Sequence, residues 1–370
     1  MKSLLQGTAL ATVALVSTFA GAATVLADPI SDAKNYVAEI TKPNPPWTGP
    51  TAGPTARKNK SIVYVAADLR NGGVLGVSKG VEEASKAIGW KVRVIDGQGS
   101  VSGRSAALQQ AIALKPDGIV LGSVDAKEQA ELIRQADEAG TKIVGWHSTA
   151  STGPAPGQKI FTNITTNPLE ISKAAASFVV ADSDGKAGVV IFTDSVYEIA
   201  IAKSDAMAAV IKGCGGCKIL SVEDTPLAEA STRMPPLTNS LIQRFGDKWT
   251  YSLTINDLPI DFMTAALQSA GKAADGFPRN VSAGDGSQAA FQRIQQSYYQ
   301  SGTVAEPLSL HGWQAVDELN RAFAGEKDSG YVVPVHLFLP QNVKKDGGDR
   351  FAFDPDNGYR DAYRKIWGVN

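Results

Sequence analysis

Histidine and cysteine are scarce in this chain of 370 residues, which contains three of the first and two of the second. His147, His311 and His336 lie far apart, with no metal-ligand spacing between them, so no zinc or other transition-metal centre is expected. The signatures of several enzyme classes are also missing. There is no Gly-x-Ser-x-Gly elbow, no P-loop and no Gly-x-Gly-x-x-Gly after a strand, which argues against a serine hydrolase, a nucleoside triphosphatase and a dinucleotide-dependent enzyme. No charge of one sign prevails, since 36 Lys and Arg face 37 Asp and Glu. A surface so nearly neutral lacks the basic patch that a nucleic-acid partner requires. Beyond Leu26 no segment is apolar enough to span a bilayer.

The N-terminal segment sets the expected compartment. Lys2 precedes an uncharged apolar run from Leu10 to Leu26, and Val25-Leu26-Ala27 places small residues just before Asp28. Residues 1–27 therefore read as a cleaved secretory signal peptide, with no Cys near the cleavage site to take a lipid. Without that segment 35 basic residues face 37 acidic ones, a charge of −2. Both cysteines fall in Gly213-Cys214-Gly215-Gly216-Cys217. In an oxidising compartment a structural disulfide between Cys214 and Cys217 is the simplest reading. A redox Cys-x-x-Cys is the alternative, although such motifs open a helix after a strand and this one ends a helix before a strand.

The organisation is that of two tandem α/β units. Residues 28–60 supply a short helix (Ser31 to Ile40) and a Pro-rich arm with Pro43, Pro45, Pro46, Pro50 and Pro54, which neither a helix nor a central strand tolerates. Trp47 is expected to pin this arm to a lobe surface, with a ligand lid as the other reading. Ile62-Val63-Tyr64-Val65-Ala66 is a continuous apolar run, the mark of a parallel strand buried on both faces. Val74, Val77, Val81, Ala84 and Ile88 then recur at helical spacing up to Gly89. Further strands at Val92 to Ile95, Gly118 to Leu121 and Ile143 to Val144 complete a doubly wound sheet. The pattern then repeats. Val189-Val190-Ile191-Phe192-Thr193-Asp194 answers Val63 to Asp68 at an offset of 126, and Val281 to Asp285 answers Ile143 to His147 at 138. The predicted fold is α/β, with lobe 1 from 61–163 plus 309–334 and lobe 2 from 164–308 plus 335–370.

Ligands of such sheets bind beyond the carboxyl ends of the strands. The polar residues placed there in lobe 1 are Asp68, Arg70, Asn71 and Gln98, then Trp146, His147 and Ser148. From lobe 2 come Asp194, Tyr197, Asn256, Asp257 and Asp285. Asp68 and Asp194 hold equivalent places in the two repeats, which suits helix capping as well as ligand contact. Trp146 ends a strand and suits the core as well as a stacking wall. His147 reads equally as a satisfied interior group.

With these segments in order, the sequence resembles the type I periplasmic binding proteins, and within them the ribose-binding-protein-like group serving sugar ABC importers. The resemblance runs from about Ser61 to Pro340. It rests on Ala84-Ser85-Lys86-Ala87-Ile88-Gly89-Trp90, Lys115-Pro116-Asp117-Gly118-Ile119-Val120-Leu121, Gln135-Ala136-Asp137-Glu138-Ala139-Gly140, Gly284-Asp285-Gly286 and Ala324-Gly325-Glu326-Lys327. It implies two doubly wound parallel-sheet lobes joined by a three-stranded hinge, with crossings near Phe161 to Thr165, Glu306 to Leu310 and Val333 to His336. It also implies that Asn256, of the Asn256-Asp257 pair, and Asp285 contact ligand hydroxyls, that Asn71 matches an Asn on the family's first loop, and that Glu306 stands at a hinge position where the family often has Gln. The departures concern the ligand: Gly72-Gly73-Val74 stands where the family carries a stacking aromatic residue, His147-Ser148 where it has Asp-Arg, and Ile201 where an Arg is expected.

The resulting expectation is a monomeric periplasmic receptor, not an enzyme and without cofactor or metal, that closes on a sugar or polyol and delivers it to the ABC permease subunits of the inner membrane. Asp285, Asp257 and Glu306 would accept hydroxyl protons, Asn71, Asn256, Arg70 and His147 would donate, and Trp146 and Tyr197 would supply an apolar wall. A sensory module passing the closed shape to a sensor kinase or chemoreceptor is the alternative.

Overall fold

The computed structural model describes residues 28–369, so the expected signal segment lies outside the described residues. The chain begins with helix α1 (Pro29–Ile40). It then alternates β1 (Ser61–Ala66), α2 (Gly72–Ile88), β2 (Lys91–Asp96), α3 (Val101–Ala113), β3 (Gly118–Gly122), α4 (Ala130–Glu138) and β4 (Lys142–Trp146), followed by β5 (Gly153–Ala155) and β6 (Ile160–Ile164). The second half runs α5 (Pro168–Asp182), β7 (Gly188–Thr193), α6 (Glu198–Gly213), β8 (Lys218–Asp224), α7 (Ala230–Phe245), β9 (Tyr251–Thr254), α8 (Leu258–Ser269), β10 (Arg279–Ser282), α9 (Gln288–Gln295) and β11 (Gly302–Thr303). Helices α10 (Leu308–Ala324) and α11 (Tyr359–Trp367) close the chain.

These strands form two sheets of one topology. The first has the order β2-β1-β3-β4-β6-β5 and the second β11-β10-β9-β7-β8. Read from β8, the second repeats the parallel part of the first strand for strand, and among the described residues only the edge strand β5 is antiparallel. The repeat at offset 126 is thus a repeat of architecture. Both faces of each sheet are covered. In β1, Ile62, Tyr64 and Ala66 enter one core while Val63 and Val65 enter another. In β7, Val189 and Ile191 face one core and Val190 and Phe192 the other. This is the period-2 division of a strand buried on both sides.

The helices follow from their stripes and caps. Val74, Val77, Val81, Ala84 and Ile88 form the buried face of α2, and Gly89 ends it in the left-handed conformation at φ 81°. Cys214 follows α6 directly and is joined to Cys217 by a disulfide just before β8, so the pair staples a helix end to a strand start. Among the described residues no helix is long and apolar enough to cross a membrane.

The termini depart from the expected division. Helix α1 buries Ala33 and Ile40 in the core around α5 in the second lobe. The Pro-rich arm has neither helix nor strand and crosses to the first lobe, where Trp47 packs on Tyr331, Tyr359 and Tyr363 at centroid separations of 5.0, 6.4 and 5.4 Å. Residues 335–370 do not stay with the second lobe. Phe338, Val343 and Phe353 pack with Phe291 there, but α11 returns to the first-lobe core and stacks Trp367 on Trp313, 5.4 Å apart and nearly parallel. The reason is an aromatic face on α11 (Tyr359, Tyr363, Trp367) that only the α2–α10 core accommodates. Beyond the three expected crossings, then, the arm and the segment between Phe353 and Tyr359 also pass between the lobes.

Candidate functional site

The carboxyl ends of the two sets of strands face each other across a cleft. Its first-lobe wall includes Asp68, Asn71, Val74, Ser123 and His147, and its second-lobe wall Tyr197, Ile199, Lys203, Asn256 and Asp285. Strand-end reasoning had nominated six of these polar residues.

The two asparagines present their amides. Asn71 caps α2, its Oδ1 accepting from the backbone N–H of Gly73 at 2.9 Å and of Val74 at 3.4 Å. Asn256 Oδ1 accepts from Leu258 N at 3.2 Å, at the start of α8. With each oxygen held by a helix terminus, the NH₂ group is the part left to meet a ligand. Both residues were expected to donate.

Asp285 presents a carboxylate to the cleft. It is buried and lines the cleft, and among the described residues no hydrogen bond engages its carboxylate; the nearest side-chain nitrogen with which it pairs is His147 Nδ1, at 4.0 Å. Burial pushes its carboxyl up to about 6, against the pull of the Lys203 and His147 charges. On the opposite wall, a methyl group added at Gly73 would overlap this carboxylate. Gly73 therefore lets the N-terminus of α2, a region of positive potential, come against Asp285. The absence of an aromatic residue in Gly72-Gly73-Val74 thus has a steric role here.

His147 has a left-handed backbone (φ 53°), uncommon for a residue with a Cβ. Its ring stacks on Trp146 with centroids 3.9 Å apart and planes inclined by 12°. Its Nε2 lies 2.8 Å from Glu306 Oε1.

Four expectations are corrected. Trp146 is fully buried in the first-lobe core and donates to His311 Nδ1 at 3.1 Å, so it backs His147 and is no wall of the cleft. Asp257 does not line the cleft. Its oxygens accept from Gly286 N at 2.8 Å, Ser287 N at 2.9 Å, Gln300 Nε2 at 2.8 Å and Ser282 Oγ, so its capacity goes to holding the loop that carries Asp285. Glu306 is fully buried behind His147 and also accepts from Thr166 N at 3.0 Å. Burial works against its charge, but His147, with His311 and Lys203, outweighs it and holds the carboxyl at about 2. Arg70 is largely exposed at the rim, paired with Asp68 at 2.7 Å. Of the remaining strand-end residues, Asp194 accepts from Val196 N at 2.9 Å and Leu227 N at 2.8 Å, a turn-forming role.

Lys203 was missed. It is buried and lines the cleft, where its Nζ donates to Ala283 O at 2.8 Å and Ile255 O at 3.3 Å. A signal was present, because Lys203 sits between Ile199 and Met207 in the buried stripe of α6, where a charge is out of place unless it serves a site. Arg104 was also missed: 1% exposed and salt-bridged to Glu128, it donates to Tyr197 Oη across the cleft at 3.1 Å.

His147, Asp285 and Glu306 lie close enough for a metal-ligand set. The ring argues against one shared ion, because Nδ1 faces Asp285 while Nε2 faces Glu306. Within the cluster only the His147–Glu306 pair is hydrogen-bonded, and Asp285 stands apart from the ring on the cleft side.

A family model described as periplasmic binding protein domain matches residues 62–327. The ABC transporter periplasmic-binding protein YphF of Escherichia coli (strain K12) is 24% identical over 163 residues, 42% of this chain and 49% of that protein. Ribose import binding protein RbsB of Bacillus subtilis (strain 168) is 24% identical over 142 residues, 38% of this chain and 44% of that protein. The chain thus spans about half the length of the curated relatives it matches. An ABC transporter solute binding protein from Agrobacterium vitis with bound allitol, solved by crystallography, superposes with a TM-score of 0.65 at 22% identity, over 78% of this chain and 98% of that one.

Proposed function

Since the chain belongs to the periplasmic binding protein domain family, we propose that it is the receptor component of an ABC importer and closes on a sugar or polyol between its two lobes. The observation that carries this reading is the Asp285 carboxylate, buried in the cleft without a protein donor and faced by asparagine amides whose oxygens are engaged elsewhere. A hydroxyl both donates and accepts, and this arrangement offers it both partners. Hydrogen bonds to charged groups contribute roughly 1.5–3 kcal/mol each, so three or four reach the ~8 kcal/mol of micromolar binding.

The proposed ligand contacts are Asn71, His147, Tyr197, Asn256 and Asp285, with Lys203 added and Glu306 and Asp257 supporting from behind. The names of the relatives support the ligand class, one being a ribose import protein and another holding allitol. The closing bodies are residues 61–163 with 309–334 and residues 164–308 with 335 to about 353, α11 moving with the first. Residues 1–27 direct export to the periplasm, and the closed form presents both lobes to the permease.

A thermal-shift screen of the protein without residues 1–27, against pentoses, hexoses, alditols and their acids, tests the reading. A ligand at 100 times its dissociation constant adds about 2.7 kcal/mol of stability. If no polyhydroxylated compound raises the melting temperature, the assignment fails. Asp285→Ala is expected to abolish binding of any hit while the protein remains folded, as checked by calorimetry and circular dichroism.

A further inference from the structure

His147 is held from three directions. Trp146 covers one ring face, Glu306 Oε1 lies 2.8 Å from Nε2, and Nδ1 points to the cleft, 4.0 Å from Asp285 Oδ1. Glu306 is the residue that determines what this ring can do. Its other oxygen accepts the Thr166 N–H at 3.0 Å. An ionised carboxylate only accepts hydrogen bonds, so the imidazole nitrogen facing it must carry a proton.

We propose that Glu306, a residue outside the cleft, places the single proton on Nε2 when His147 carries no charge, so that Nδ1 then offers its lone pair to a ligand hydroxyl beside Asp285. The inference rests on the polyhydroxylated ligand proposed above. Two acceptors 4.0 Å apart, Nδ1 and Asp285 Oδ1, then receive two hydroxyl protons from neighbouring ligand carbons, while the Asn71 and Asn256 amides donate to the ligand's oxygens. Glu306 is thus a positioning residue that determines specificity, because it turns His147 from donor to acceptor. The second carboxyl oxygen extends the effect to the backbone between β6 and α5, where the chain passes between the lobes.

The glutamine variant separates positioning from packing. In Glu306→Gln the Thr166 N–H takes the amide oxygen, which leaves the NH₂ group facing His147 Nε2. A donor in that place selects the tautomer with the proton on Nδ1, which then points at Asp285 and the ligand as a donor.

The test is ¹⁵N NMR of histidine-labelled protein, ligand-free at about pH 8, where an ordinary imidazole is neutral. The His147 resonances are identified by their loss in His147→Gln. The expected wild-type spectrum has Nε2 protonated and Nδ1 bare, and Glu306→Gln is expected to reverse this and to weaken binding of the screen's best polyol or sugar at least tenfold. Protonation of wild-type Nδ1, as the other tautomer or as the cation, overturns the proposal. So does a Glu306→Gln protein that keeps the Nε2–H form, or one that reverses it and binds as before. Should the variant not fold, or the screen find no ligand, the wild-type spectrum alone decides the tautomer, separately from the ligand assignment.

Discussion

At the scale of the residue, Asp285 places binding and stability in opposition. Its carboxyl is pushed up to about 6 by burial, with Lys203 and His147 pulling the other way. A raised carboxyl pKa means that the folded state holds the proton more tightly than the unfolded chain. Asp285 therefore costs the ligand-free protein nothing at acid pH, and the cost develops as pH climbs from about 4 to about 6. Asp285→Asn is expected to raise the stability of the ligand-free protein above that window, by at most about 3 kcal/mol, to leave it unchanged near pH 3, and to abolish binding. Calorimetric scans across pH check both halves, and an equal effect at every pH would mean that the charge is not the cause. Glu306 has the opposite sign. Held at about 2, it contributes stability above the usual carboxylate value that is lost as pH falls toward 2.

Elements divide the labour between scaffold and site. The N-terminus of α2 meets Asp285 only because Gly73 has no side chain, whereas helix propensity would favour alanine at that position by up to about 1 kcal/mol. Gly73→Ala is accordingly expected to keep or raise the melting temperature and to weaken ligand binding more than tenfold, since the added methyl group holds the lobes apart. Titration calorimetry beside thermal denaturation checks this, and unaltered affinity would show that α2 and Asp285 need not meet. Asp257 shows the converse arrangement: adjacent in sequence to the cleft-lining Asn256, it binds four donors of its own lobe. Neighbours on one strand end thus serve a cleft and a loop.

On the scale of the whole molecule, the lobes meet at a mouth remote from the crossings. Arg104 donates to Tyr197 Oη at 3.1 Å, Asp125 Oδ2 accepts Glu198 N at 3.2 Å, and Lys127 pairs with Glu198 at 2.5 Å. Helix α6 has no side-chain cap of its own, and the first lobe supplies one through Asp125. Contacts that join two lobes in this way favour a closed over an open arrangement. Tyr197→Phe, which removes one such bond worth about 1 kcal/mol, is expected to raise the dissociation constant about fivefold through a faster off-rate, with the melting temperature of the ligand-free protein unchanged. Stopped-flow kinetics with X-ray scattering of the free protein checks it; an unchanged off-rate would show that the mouth bears no closing energy.

Much of this protein was legible in the chain itself. The apolar runs at Ile62 to Ala66 and Val189 to Phe192, the helical stripe that Gly89 ends and the repeat at offset 126 determined two sheets of one topology, because burial on both faces forces those patterns. Strand-end geometry also nominated Asn71, His147, Tyr197, Asn256 and Asp285, all of which line the cleft. Tertiary structure alone decided which polar groups remained available there. Trp146 and Asp257 occupy strand ends as good as the others, and Glu306 a hinge position, and only their partners in space turn them inward. Likewise α11 joined the first lobe because its aromatic face fits a core built from residues some 50 to 300 positions earlier. Periodicity records the solvent that an element avoids. The partner that satisfies a buried carboxylate is a property of the folded contacts.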